Sequence, residues 1–166
     1  MKLTELLSAD RVAIRKRSGD DAFDKAAALR LLGSMLSGGG VDAAEVERVL
    51  VEREELQSTG IGEGVAIPHG ALQALELQRA ALLIVPGGVE FASIDQEKVT
   101  ILFAVVGPKR ATGEHLKTLA RVSRLLRHPE FRERLVGAAS GEAAFALIAV
   151  EEADPKPSSP DAARKV

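Results

Sequence analysis

The chain holds three histidines and no cysteine, so any nucleophile or proton carrier in it is an imidazole, a hydroxyl or a carboxylate. His69 has the most distinctive surroundings. It follows Val65-Ala66-Ile67-Pro68, an apolar stretch ended by proline, and it lies downstream of Arg53 and of the glycine-spaced segment Ser58-Thr59-Gly60-Ile61-Gly62-Glu63-Gly64. A neutral imidazole at a strand end offers one nitrogen lone pair as a nucleophile, while its other nitrogen can be fixed by a hydrogen bond. The Arg53 guanidinium, the hydroxyls of Ser58 and Thr59 and the amides of the glycine turn beginning at Gly60 are donors of the kind that stabilise phosphoryl oxygens. Pro68 restricts the backbone just before the ring. These residues predict acceptance of a phosphoryl group on His69. The alternative that residue types leave open is a loop histidine among turn-forming glycines.

His115 is the second candidate. With Thr112 as helix cap it falls in the first turn, where the helix dipole favours a neutral ring and welcomes an anion, so its N–H could meet a phosphoryl oxygen. Space-filling beside Leu119 is the competing reading. His128, beside Pro129, reads as a surface cap at a helix end. No His-x-x-x-His or His-Glu-x-x-His spacing supports zinc, the glycines do not match a dinucleotide fingerprint or a nucleotide phosphate loop, and Ser58 stands in no hydrolase elbow. The chemistry therefore calls for no metal and no cofactor.

Several elements must position these groups. Leu3, Leu6 and Leu7 form an opening turn before a short strand around Val12 and Ile14. Asp20 or Asp21 can cap a helix bearing Phe23, Ala27, Leu31, Leu32, Met35 and Leu36, which Gly38-Gly39-Gly40 ends. Asp42 with Glu45 has capping-box spacing for a second helix through Leu56. Strands are predicted at Ala80–Val85, turning at Pro86-Gly87-Gly88, and at Val99–Val106, whose nearly unbroken apolar run suits a central strand buried on both faces. Helices follow from Thr112, at Glu130–Leu135 and at Glu142–Ile148. Strands interleaved with helices predict a layered α/β fold. One domain is expected over residues 1–153, with residues 154–166, rich in proline, serine and charge, as a disordered tail.

Composition narrows the function classes. Of 166 residues, 46% are hydrophobic and 28% charged, which is ordinary for a folded globular chain. A net charge of −2 with no tryptophan or tyrosine argues against nucleic acid as a partner. No apolar run nears the roughly 18 residues of a membrane helix, and the first residues do not form a secretory signal, so direct membrane insertion is not expected and the cytoplasm is the expected location.

The segment from Ser58 to His69 resembles the signature of the mannitol/fructose-type enzyme IIA domains of the bacterial phosphotransferase system. Phe91-Ala92-Ser93-Ile94-Asp95, the strand Val99–Val106 with Gly107-Pro108, and His115-Leu116-Lys117-Thr118-Leu119-Ala120 are similar to later family segments in the same order. The resemblance spans roughly residues 2–150. It implies a three-layer α/β/α sandwich with a central mixed sheet, and an enzyme component of the phosphotransferase system. It implies His69 as the residue phosphorylated by the histidine phosphocarrier protein, His115 as the neighbouring histidine that contacts the phosphoryl group, Arg53 as the arginine before the Ser-Thr-Gly turn, and Glu63 at the common acidic position. Many nitrogen-branch members carry lysine or arginine two residues after the active histidine, where this chain has Ala71 after Gly70. The free-standing unit is most similar to the nitrogen-regulatory branch, whose output is binding to regulatory target proteins. A sugar-specific component that passes phosphate to a transporter IIB domain, and a binding regulator without transfer, are the alternatives.

Overall fold

A computed structural model describes residues 2–16 and 22–154 of the chain. A single helical turn, α1 (Leu3–Leu6), leads into β1 (Leu7–Ile14). Two helices follow, α2 (Lys25–Met35) and α3 (Ala43–Leu56). Four strands then come in order, β2 (Gly60–Gly62), β3 (Val65–Ala66), β4 (His69–Leu72) and β5 (Arg79–Val89). The last elements are β6 (Val99–Pro108), α4 (Thr112–Leu125), α5 (Pro129–Val136) and α6 (Gly141–Ala153).

The sheet has six strands in the order β1-β5-β6-β3-β2, with β4 pairing β6 beyond β3 along the same edge. It is mixed: β1 runs parallel to β5, β5 antiparallel to β6, and β3 and β4 parallel to β6. Alternation along β5 and β6 separates two cores. Ala81, Leu83, Val85, Leu102, Ala104 and Val106 face α2 and α3. Ala80, Leu82, Ile84, Ile101, Phe103 and Val105 face the layer that contributes Leu3, Val122, Phe131, Leu135 and Ile148. Burial on both faces explains why the runs Ala80–Val85 and Ile101–Val106 are apolar at every position rather than at every second one. The fold is thus the three-layer α/β/α sandwich with a mixed central sheet. Phe91, Phe103 and Phe131 are fully buried, each stabilising the fold by about 1.5–3 kcal/mol.

Three local details differ from the sequence expectations. Asp24 caps α2, its carboxylate accepting from the Ala27 amide at 2.9 Å; Asp20 and Asp21 lie outside the described residues, as do residues 155–166 of the expected tail. Asp42 stands at the cap position of α3 but its side chain makes no cap bond, and Glu45 pairs with Arg48 rather than reaching back, so no capping box forms. The chain does not turn at Pro86-Gly87-Gly88. β5 continues through a register shift between Ile84 and Val89, where proline's missing N–H costs no ladder bond. Gly88, at φ +76°, is needed there: a Cβ on it would lie 2.8 Å from the Lys98 Cβ.

Candidate functional site

β3 and β4 are two pieces of one line along β6, broken at Ile67-Pro68. Val65 pairs with Ile101 and His69 with Val105. Pro68 has no N–H to give the ladder, yet its carbonyl accepts from the Val105 amide at 3.0 Å and keeps the chain against β6. His69 therefore opens a new short strand rather than closing the apolar one. Paired residues share a face, so His69 lies on the Val105 side with α4, and Gly70 on the Val106 side with α3. A Cβ at Gly70 would sit 2.3 Å from Val49 Cγ1, so glycine is what lets α3 approach β4 so closely. That approach brings Arg53, in the last turn of α3, to the histidine.

The half-buried ring of His69 is held at both nitrogens. Nδ1 lies 2.8 Å from the Ile67 carbonyl oxygen, which can only accept, so Nδ1 carries the proton. Arg53 Nε–H donates to Nε2 across 3.2 Å, so Nε2 presents its lone pair. Arg53 is itself steadied by a bond from Nη1 to the Gln57 carbonyl at 2.9 Å. Burial pushes the His69 pKa below the ordinary imidazole value of 6.5; the Ile67 carbonyl opposes this, and the Arg53 charge adds to it. The result is a neutral imidazole of one tautomer whose Nε2 carries the free lone pair.

The His115 ring lies with its centroid 5.6 Å from that of His69, tilted by 50°. Burial first, and then His69, lower its pKa as well. Thr112 is not the cap of α4 but its first residue; Ala111 precedes the helix without a side-chain cap, and the His115 amide donates to the Ala111 carbonyl at 3.1 Å. His115 still belongs to the start of the helix. The ring lies against Gly107 of β6, with Nδ1 a buried atom without a hydrogen-bond partner among the described residues. His128 occupies the N-cap position of α5 ahead of Pro129, so it serves no helix C-terminus.

The structure thus brings His69, His115 and Arg53 together and directs the other sequence candidates elsewhere. The Ser58 hydroxyl donates to the Phe91 carbonyl at 2.8 Å and accepts from the Gly60 amide at 3.1 Å. Thr59, buried, gives both its amide and its hydroxyl to Glu54. The donors of Ser58, Thr59 and Gly60 are thus engaged in holding the loop rather than aimed at His69. Glu63 turns the β2–β3 hairpin at φ 56° and pairs with Arg132 at 2.7 Å. Two residues on, Val65 pairs with Ile101, four positions of β6 before the partner of His69, a separation of about 13 Å at the usual strand rise. Glu54 is the residue that sequence reasoning missed. Its signal was present: it follows Val46 and Leu50 at four-residue spacing, on the face of α3 that is buried. Among the described residues no group of three or more histidines and carboxylates is placed to hold a metal ion.

Residues 6–150 match the family model described as "Phosphoenolpyruvate-dependent sugar phosphotransferase system, EIIA 2". A nitrogen regulatory protein of Bradyrhizobium diazoefficiens is 32% identical over 155 residues, covering 92% of this chain and 98% of that protein. The fructose-specific EIIABC component of Bacillus subtilis is 29% identical over 150 residues, covering 89% of this chain but 23% of its own length. The crystal structure of the nitrogen regulatory protein IIA-Ntr from Neisseria meningitidis superposes with a TM-score of 0.79 at 28% identity, covering 88% of this chain and 98% of that one.

Proposed function

Because the chain belongs to the EIIA 2 family of the phosphoenolpyruvate-dependent sugar phosphotransferase system, we propose that it is a phosphocarrier that takes a phosphoryl group on Nε2 of His69. The donor is a phosphohistidine of the histidine phosphocarrier protein. Nε2 attacks phosphorus in line, the N–P bond of the donor breaks with its electron pair returning to the donor imidazole, and the new N–P bond forms on His69. Nδ1–H stays on the Ile67 carbonyl throughout, so no proton need move. Arg53 turns its N–H groups from Nε2 to the phosphoryl oxygens. His115, a ring's width away, donates to another of those oxygens.

The single observation that carries this reading is the clamped tautomer: an acceptor-only group at Nδ1 and a donor-only group at Nε2 leave one neutral, lone-pair-bearing nitrogen beside a cation. The output proposed is regulatory, through phosphorylation-dependent binding of target proteins, because the likeness to nitrogen regulatory proteins extends over 98% of one such relative. Incubation with phosphoenolpyruvate, enzyme I and the phosphocarrier should place acid-labile phosphate on the parent chain and none on His69→Ala. Equal labelling of the two proteins, or an unlabelled parent, would overturn the assignment.

A further inference from the structure

Glu54 is a carboxylate placed where an apolar residue would serve the core, only 7% exposed, and it belongs to a network that ends at His69. Burying a carboxylate is costly unless it is paired and fully hydrogen-bonded, so its partners show what it is for. Lys25, from the first turn of α2, reaches Oε2 at 2.6 Å and also donates to the Phe91 carbonyl at 3.1 Å. The Thr59 amide divides its bond between the two carboxylate oxygens at 3.0 Å each, and the Thr59 hydroxyl donates to Oε1. The Thr59 carbonyl accepts from the Ile67 amide at 3.0 Å. The Ile67 carbonyl, in turn, holds His69 Nδ1–H at 2.8 Å. A continuous hydrogen-bonded path therefore runs from the residue next to Arg53, through Thr59 and Ile67, to the proton that fixes the His69 tautomer.

Resting on the phosphocarrier reading, we infer that Glu54 is a positioning residue for the phosphoryl acceptor. It ties the end of α3, which carries Arg53, to the strand residue that orients His69. Both edges of the imidazole are thus referenced to one buried carboxylate. Without it, the Ile67 carbonyl and the guanidinium are free to drift relative to each other, and misplacement by about 1 Å at a reacting centre is enough to cost orders of magnitude in rate.

The test compares four forms of the full chain: the parent, Glu54→Ala, Thr59→Val, and the double variant Glu54→Gln with Lys25→Met. Nitrogen NMR of the histidine side chains reads the His69 tautomer directly, and potassium phosphoramidate serves as a small donor that needs no protein docking. The parent should show Nδ1–H alone. Glu54→Ala should populate the Nε2–H tautomer and take up phosphate about tenfold more slowly or worse. Thr59→Val, which keeps the side-chain shape and the amide, should show a smaller change in the same direction, and it supplies the decisive comparison if Glu54→Ala does not fold. The double variant keeps an acceptor for Thr59 and leaves no unpaired buried charge, so it should recover the parent tautomer. Parent-like tautomer and rate in both Glu54→Ala and Thr59→Val would overturn the inference, as would a double variant as impaired as Glu54→Ala. A parent that takes no phosphate refutes the phosphocarrier reading alone, since the tautomer comparison is independent of transfer.

Discussion

Replacing Arg53 with methionine removes the cation from His69 while keeping a side chain of similar reach. The residue makes two bonds that matter, Nε–H to His69 Nε2 at 3.2 Å and Nη1–H to the Gln57 carbonyl at 2.9 Å. Loss of the second, at a partly exposed helix end, should cost about 0.5–1.5 kcal/mol of stability. Loss of a preorganised donor to the phosphoryl oxygens should slow transfer about 10²–10³-fold, or roughly 2.7–4 kcal/mol of barrier, well beyond the stability effect. The two also separate by pH. Arg53 helps to depress the His69 pKa, so its removal raises that pKa, and the protonated, non-nucleophilic ring persists to higher pH. Burial, the largest cause of the depression, remains, opposed by the Ile67 carbonyl and by Glu54, so the lost cation alone sets the upward direction of the change. Initial rates with the phosphorylated phosphocarrier, measured from acid to mildly alkaline pH, should show the acid limb moved upward and the plateau lowered. A plateau reduced by less than about threefold, or an acid limb moved downward, would refute the assignment of Arg53 to charge stabilisation.

Gly70→Ala places a methyl 2.3 Å from Val49 Cγ1 and should destabilise by about 1–3 kcal/mol in a denaturant titration, with relief when Val49 is also shortened to alanine. Glu63→Ala removes an ion pair whose carboxylate is 70% exposed, so stability should change by at most about 1 kcal/mol and the phosphorylation rate should not change. His69 and His115 both titrate below the ordinary value, so the unfolded chain binds protons before the folded one does. Their contribution to stability is complete above about pH 6.5 and is lost as pH falls through the folded values, and His115→Gln should flatten the acid slope of the melting temperature.

The sequence singled out His69 because a histidine after proline at the end of an apolar stretch stands where a rigid element holds it, and the structure brings Arg53 and His115 to it. The sequence made the central strand legible because Ile101–Val106 has no polar face to turn toward water. Arg53 was legible only through its place before the glycine segment, since nothing in the spacing of residues 53 and 69 says that a helix end meets a strand start. The hydroxyls of Ser58 and Thr59 are engaged elsewhere for a physical reason: the glycines suggested an anion cradle, whereas the Thr59 hydroxyl meets the chain's own Glu54 and the Ser58 hydroxyl meets the Phe91 carbonyl. A carboxylate on the buried face of an amphipathic helix demands donors, and the segment that follows supplies them. Glu63 entered only through the resemblance, at the common acidic position, and its left-handed backbone serves a two-strand turn far along β6 from the histidines.

The break between β3 and β4 does not change the alignment to β6: the partner of each residue is offset by the same number on both sides of Ile67-Pro68. No residue is gained or lost where the ladder pauses. A single insertion or deletion between Ala66 and His69 would slip β4 by one position and turn His69 to the α3 face, away from His115, while carrying Gly70 out from under Val49. Single substitutions in this stretch can be graded in their effects. Changes of length cannot, so the distance in residues from the glycine hairpin to the histidine should behave as an all-or-none determinant of the site.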